Sequence, residues 1–161
     1  KNGNFHLIAE PGKDLSQGDI ILAEGYATGA SLHMATEKPV AVAFDAGNLE
    51  PVAKKLRERF PNAAIIICAD NDHKHTRRTS DGVEPWNKGV ELAQKAAQEV
   101  GGKVVAPLFT DEERARGLTD FNDLHQSRGL DEVKRQVGIV LQKGVAQDKG
   151  QERGKARELS L

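Results

Sequence analysis

Ala63-Ala64-Ile65-Ile66-Ile67-Cys68-Ala69 carries no polar side chain and runs directly into Asp70-Asn71-Asp72. A continuous apolar run of this length, rich in β-branched residues, predicts a strand covered on both faces. Helices must then lie above and below it. Side chains two apart in an extended segment point the same way, so Asp70 and Asp72 can aim both carboxylates at one point while Asn71 turns aside. Like charges that close repel unless a cation lies between them.

The same pattern repeats on either side. Asp19–Ala23, Val40–Phe44 and Lys103–Leu108 are further apolar runs of strand length, and Phe5–Ala9 predicts a short strand before them. Ala27–Ala35, rich in small residues, predicts a helix packed tightly on a sheet. From Asn48, an expected N-cap, Val52, Ala53, Leu56 and Phe60 repeat at helical spacing until Pro61. A third helix starts at Asn87, with Val90, Ala93, Ala97 and Val100 on one face before Gly101-Gly102. Leu130, Val133, Val137 and Leu141 mark a last amphipathic helix. Between these elements, residues 73–85 and the segment bearing Asp120-Phe121-Asn122-Asp123 are expected to be long polar loops.

Strands alternating with helices predict an α/β fold whose mostly parallel central sheet has about four strands and helices on both faces. Residues 1–18 form an N-terminal extension with a short strand, 19–142 the domain, and 143–161 a polar linker or disordered tail with too little apolar surface to fold. The start, Lys1-Asn2-Gly3-Asn4, suggests a piece of a larger protein. The chain has 161 residues, 38% apolar and 29% charged, with net charge -1. No global basic field would hold it on DNA, so any nucleic-acid contact must come from a local patch. No stretch approaches the roughly 20 apolar residues of a membrane span. The lone Cys68 reads as a small buried hydrophobe, which fits a reducing cytoplasm.

In parallel sheets ligands bind outside the carboxyl ends of the strands. Glu24 follows the strand ending at Ala23, Asp70 and Asp72 follow Ala69, and Asp120 and Asp123 lie beyond the last strand. Carboxylates without cysteine or histidine spacing suit Mg2+ or Mn2+ rather than zinc. One or two carboxylates usually hold Mg2+ alongside substrate phosphates, which leaves Glu24 free to act on a proton. Taken singly, each aspartate is also a good turn former or helix cap. Asp45 in particular reads as a turn capping the next helix. The basic cluster His73, Lys74, His75, Arg77 and Arg78 hangs beside this edge, where Lys74, Arg77 and Arg78 could meet phosphates, or it is a solvated loop. Lys88, at a helix start, could reach a phosphate too. The histidines are expected to be exposed rather than metal ligands, and Tyr26 and Trp86 either stack on bases or pack.

Glu24-Gly25-Tyr26-Ala27-Thr28-Gly29-Ala30, Val42–Leu49, Cys68-Ala69-Asp70-Asn71-Asp72 and Asp120-Phe121-Asn122-Asp123 together resemble the Toprim family, from about Ile20 to His125. The likeness is to the primase type carried by plasmids, phages and conjugative elements. It implies a Toprim (Rossmann-like) fold, Glu24 as general acid or base, Asp70 and Asp72 as metal ligands, and Asp120 or Asp123 as an accessory carboxylate. It further implies primer synthesis from nucleoside triphosphates on single-stranded DNA, with a helicase domain or subunit as a possible partner. Replicative primases carry an aspartate where this chain has Thr28, and they lack the 73–86 insertion. A nuclease or topoisomerase could use the same carboxylates, although the only tyrosine, Tyr26, is badly placed as a nucleophile. A non-catalytic nucleic-acid or helicase-docking module is the other class. A phosphatase would need its Asp-x-Asp after the first core strand, and Walker and dinucleotide-binding glycine motifs are absent.

Overall fold

The computed structural model describes residues 2–141. Its centre is a five-stranded sheet built from β1 (His6–Ile8), β2 (Asp19–Ala23), β3 (Val40–Val42), β4 (Ala64–Cys68) and a final strand Lys103–Val105, in the order β1, β3, β2, β4 and that last strand. Four strands run parallel, as expected. β1 adds a fifth, antiparallel to β3, with His6 opposite Val42.

Helices cover both faces. α1 (Tyr26–Thr36) lies on one side, where Leu32 and Ala35 join Ile21, Val42, Ile66 and Cys68. Its small residues are needed for that approach, because a Cβ on Gly29 would fall 2.7 Å from Val42 Cγ2. The opposite face is covered by α2 (Leu49–Arg59) and by α3 (Lys88–Val100), whose Val52, Leu56, Ala93 and Ala97 pack on Ile20, Leu22, Ile65 and Ile67. The alternate isoleucines of β4 thus feed two separate cores. Each strand must be apolar throughout, which is why the sequence shows runs rather than alternation.

Four expectations change. Residues 73–85 are not a loop throughout: β5 (Thr76–Thr79) and β6 (Gly82–Pro85) form an antiparallel hairpin, with Arg77 opposite Glu84. Its strands are almost wholly exposed, so no buried periodicity announced them. The last parallel strand, β7, stops at Val105 rather than Leu108. The segment after it holds two helices, α4 (Asp111–Ala115) and α5 (Phe121–Arg128), each opened by a capping box. Asp120 is therefore the N-cap of α5 and not a loop residue. The expected last amphipathic helix is present as α6, over 130–141, and buries Val133 and Val137 against the α1 side.

Asn48 makes no side-chain capping bond to α2. It is buried, accepts the Gly3 N–H at 2.7 Å, and donates to the Asn4 and Ala43 carbonyls at 2.9 Å each. The side chain pins the N-terminal segment to the end of β3. The capping bond comes earlier, from Asp45, which accepts the Gly47 N–H at 2.7 Å at the start of a 3-10 turn. Cys68 is buried, and burial pushes its thiol well above the ordinary range. No described helix is long and apolar enough to cross a membrane. The polar tail expected over 143–161 lies outside the described residues.

Candidate metal centre

Strand ends collect the acidic groups. β2 ends one residue before Glu24, and β4 ends two before Asp70. Both side chains line a cleft of about 310 Å³, together with Phe44, Asp45, Asp72, His75 and Lys88. Its floor is built by close backbone contacts. A Cβ on Gly89 would lie 2.8 Å from the Asp70 carbonyl oxygen, so only glycine lets the first turn of α3 approach the acidic loop this closely.

The loop itself is held from three directions. The Asn71 N–H donates to the Thr119 carbonyl at 2.7 Å, and its side chain donates to Pro107 at 2.8 Å. Asn87, which caps α3 through Val90, also donates to Asn71 Oδ1 and accepts the Asp72 N–H. Asn71 does turn aside, and what it turns toward is this network. Asn71, Asn87 and Gly89 are positioning residues that sequence reading missed in that role. Two asparagines bracketing the insertion and a glycine in a helical first turn were the available signals.

Asp70 is the most perturbed carboxyl of the cleft. Burial, then the charges of Glu24 and Asp120, push its carboxyl up to about 7. Burial also raises Glu24, assisted by Asp45 and opposed by a bond to Asp70 and by the charge of Lys88. Asp70 Oδ1 is buried and receives no hydrogen bond from any donor group. Glu24, beside Asp70, is another carboxyl and can bond it only through a shared proton. A buried carboxyl with an orphaned oxygen, crowded by a second carboxyl, is a poor arrangement for a metal-free protein and a good one for a hard cation. The residues present fit Mg2+ or Mn2+ on that ground. No three His, Cys, Asp or Glu side chains among the described residues form a ready-made cage. Mg2+ does not require one, since waters and substrate phosphates complete its shell.

The other expected residues are distributed as follows. Asp72 lies in the cleft, 2.8 Å from His75 Nε2. Asp120 and Asp123 cap α5: Asp120 Oδ1 accepts the Asp123 N–H at 2.8 Å, and Asp123 Oδ2 accepts the Thr119 N–H at 2.9 Å. Their charges nevertheless press on Asp70, and burial raises Asp120 itself. Thr28 is buried, and its hydroxyl beside Asp120 works against the rise in that carboxyl. Asp45 both caps its turn and lines the cleft.

Among the basic residues, Lys88 lines the cleft and Lys74 does not. Arg77 is engaged by Glu84 and Glu91 on the hairpin's inner side, and Arg78 stands exposed opposite Val83. Trp86 donates to Glu91 at 2.7 Å and has Arg77 and Lys88 each 6.0 Å from its ring, so it anchors the hairpin to α3. Contrary to expectation, His73 is half-buried, with Nδ1 3.0 Å from the Asn71 carbonyl. Tyr26 is exposed and packs beside His6.

A family model described as Toprim domain matches residues 19–131. Two Escherichia coli relatives, both named DNA primase TraC, are 39% identical over 113 residues and 36% identical over 115. These alignments cover 70% and 71% of this chain but 8% and 10% of the relatives, so the chain spans a tenth or less of the curated proteins it matches. No solved structure matches the chain.

Proposed function

This chain belongs to the Toprim domain family, and from that premise we propose that it is the metal-dependent nucleotidyl-transfer centre of a DNA primase. The reading is of one part of a longer replication or conjugation protein that makes primers from nucleoside triphosphates on single-stranded DNA beside a helicase domain or subunit. The observation that carries it is the buried Asp70 carboxyl, one oxygen of which has no partner, beside Glu24 at the carboxyl ends of two parallel strands.

Asp70 and Asp72 would hold Mg2+ or Mn2+, with Asp120 and Asp123 adding negative charge behind them. When bound, the metal supplies charge neutralisation for phosphates and alignment of an attacking hydroxyl. Lys88 offers a second positive charge on the same cleft. Glu24, with its proton affinity raised by burial, is suited to accept the proton of a sugar hydroxyl. Arg78 and Lys74, exposed on the adjacent insertion, are candidates for template phosphates.

A second reading has its own support. Asp72 already pairs with His75, and Asp120 and Asp123 satisfy each other as caps. These bonds favour a module that retains the fold without catalysis. A Mg2+ and Mn2+ titration followed by backbone amide shifts separates the two, run on wild type and on Asp70→Asn with Asp72→Asn. Responses around Glu24 and Asp70 that vanish in the double variant support the metal centre. Silence at millimolar metal, together with primer synthesis by a full-length parent bearing Glu24→Gln, supports the non-catalytic module.

A further inference from the structure

Phe44 completes an apolar run in the sequence, yet its ring is 62% exposed and its backbone lies at φ +67. That region is strained for a bulky side chain, and the exposure forgoes burial of a large apolar group. Two backbone bonds hold the arrangement. The Phe44 N–H donates to the Glu24 carbonyl at 2.7 Å, and the Ala43 N–H donates to the Ala23 carbonyl at 2.9 Å. The ring is thereby tied to the backbone of the residue proposed to move the proton.

Phe44 and Asp45 line two clefts at once. One is the acidic cleft of Glu24, Asp70 and Lys88. The other, of about 290 Å³, is bounded by Asn4, Phe5, Ala43, Phe44, Asp45 and Asn48. It is an apolar slot between two phenylalanines, and the exposed Asn4 sits at its rim. A nucleoside triphosphate has this division of chemistry: an anionic chain that needs cations, joined through a sugar to a flat ring with an apolar face.

We propose that Phe44 is the platform on which a nucleobase stacks when the phosphates of the same nucleotide lie at Glu24, Asp70 and Lys88. The proposal rests on the primase reading and adds the base subsite to it. Strain at an exposed aromatic then has a function, because the left-handed backbone turns the ring out of the core and toward the nucleotide.

Calorimetric titration of the 161-residue chain tests it, using magnesium adenosine triphosphate and magnesium with inorganic triphosphate as probes. Phe44→Gly and Phe44→Leu should weaken the nucleotide about fivefold or more, the loss of one base stack, while inorganic triphosphate binds as in wild type. Glycine tolerates the left-handed backbone, so Phe44→Gly keeps the fold, checked by an undiminished melting temperature. Unchanged nucleotide affinity in both variants overturns the platform and leaves the primase reading standing. Equal losses for both ligands overturn it in favour of a supporting role for the ring. Losses confined to oligothymidylate, measured against an abasic strand, overturn it by assigning the ring to the template. Wild-type protein that binds neither triphosphate sinks this proposal and the primase reading together.

Discussion

Asn87 donates its side-chain amide to Asn71 Oδ1 at 2.8 Å, while its own oxygen accepts the N–H groups of Asp72 at 3.2 Å and Val90 at 3.3 Å. One side chain therefore caps α3 and clamps the acidic loop to it. The hairpin insertion lies between the two asparagines, and their bond closes its base.

Asn87→Ala should cost about 1–2 kcal/mol of stability, the usual cost of losing a cap, and should also weaken metal binding at Asp70 and Asp72. Asn87→Asp keeps the cap acceptor but sets a carboxylate oxygen against Asn71 Oδ1 beside the acidic loop, so it should recover only the capping part of the stability. Thermal melts beside metal titrations distinguish the two losses.

Gly89 offers a test in which two effects oppose. In an ordinary helix Gly→Ala gains up to about 1 kcal/mol from propensity. Here the added methyl would meet the Asp70 carbonyl at 2.8 Å, and such overpacking costs about 1–3 kcal/mol. The clash should win: Gly89→Ala is expected to lower the melting temperature and to shift the amide signals of Asp70 and Asp72. A stabilised variant would show that α3 moves away freely.

Asp70→Asn should have opposite effects with and without metal. Removing one of the crowded carboxylates relieves its repulsion with Glu24 and Asp120, so the metal-free variant should be more stable, by about 1 kcal/mol or more. Wild type should gain stability with rising Mg2+ by mass action, and the variant should not. Urea unfolding with chelator and with millimolar Mg2+ reads both signs.

Acid stability should depend on Glu113. It is 4% exposed, and burial alone would raise its carboxyl. Bonds from the Thr110 N–H, the Ser127 hydroxyl and Arg128 outweigh burial and hold it at about 2. Its folded value lies below its unfolded value of about 4.3. Its contribution is therefore complete above about pH 4.3 and is lost as pH falls toward 2. Glu113→Gln should cost about 1–2 kcal/mol near neutrality, with the difference from wild type shrinking toward pH 2 in urea titrations. Glu132, also held at about 2, chiefly by Arg135 and Gln136, adds to the acid limb of both proteins.

What could be read directly was whatever depends on local periodicity. The Ile65-Ile66-Ile67 run required cover on two faces, the 3.6 spacing of Val52 and Leu56 required a helix, and Asn87 marked the start of α3. The acidic edge followed, because residues after parallel strands must gather at one end of the sheet. The exposed hairpin left no such trace. Arg77 and Glu84 bond across a turn in a segment without an apolar face, and that pairing is invisible to a pattern of burial.

The sequence by itself determined the layers, a mostly parallel sheet and the edge that gathers Glu24, Asp70 and Asp72, since burial and chain direction follow from residue type and spacing. Only the tertiary structure decided how each charge is used. Asp72 found His75, Asp120 and Asp123 found each other, and Asp70 was left buried with an oxygen that no donor reaches. Phe44, apolar in the sequence, was turned outward by a bond to the Glu24 carbonyl. Such outcomes depend on which groups from distant segments meet at hydrogen-bonding distance, and that is a property of the assembled chain.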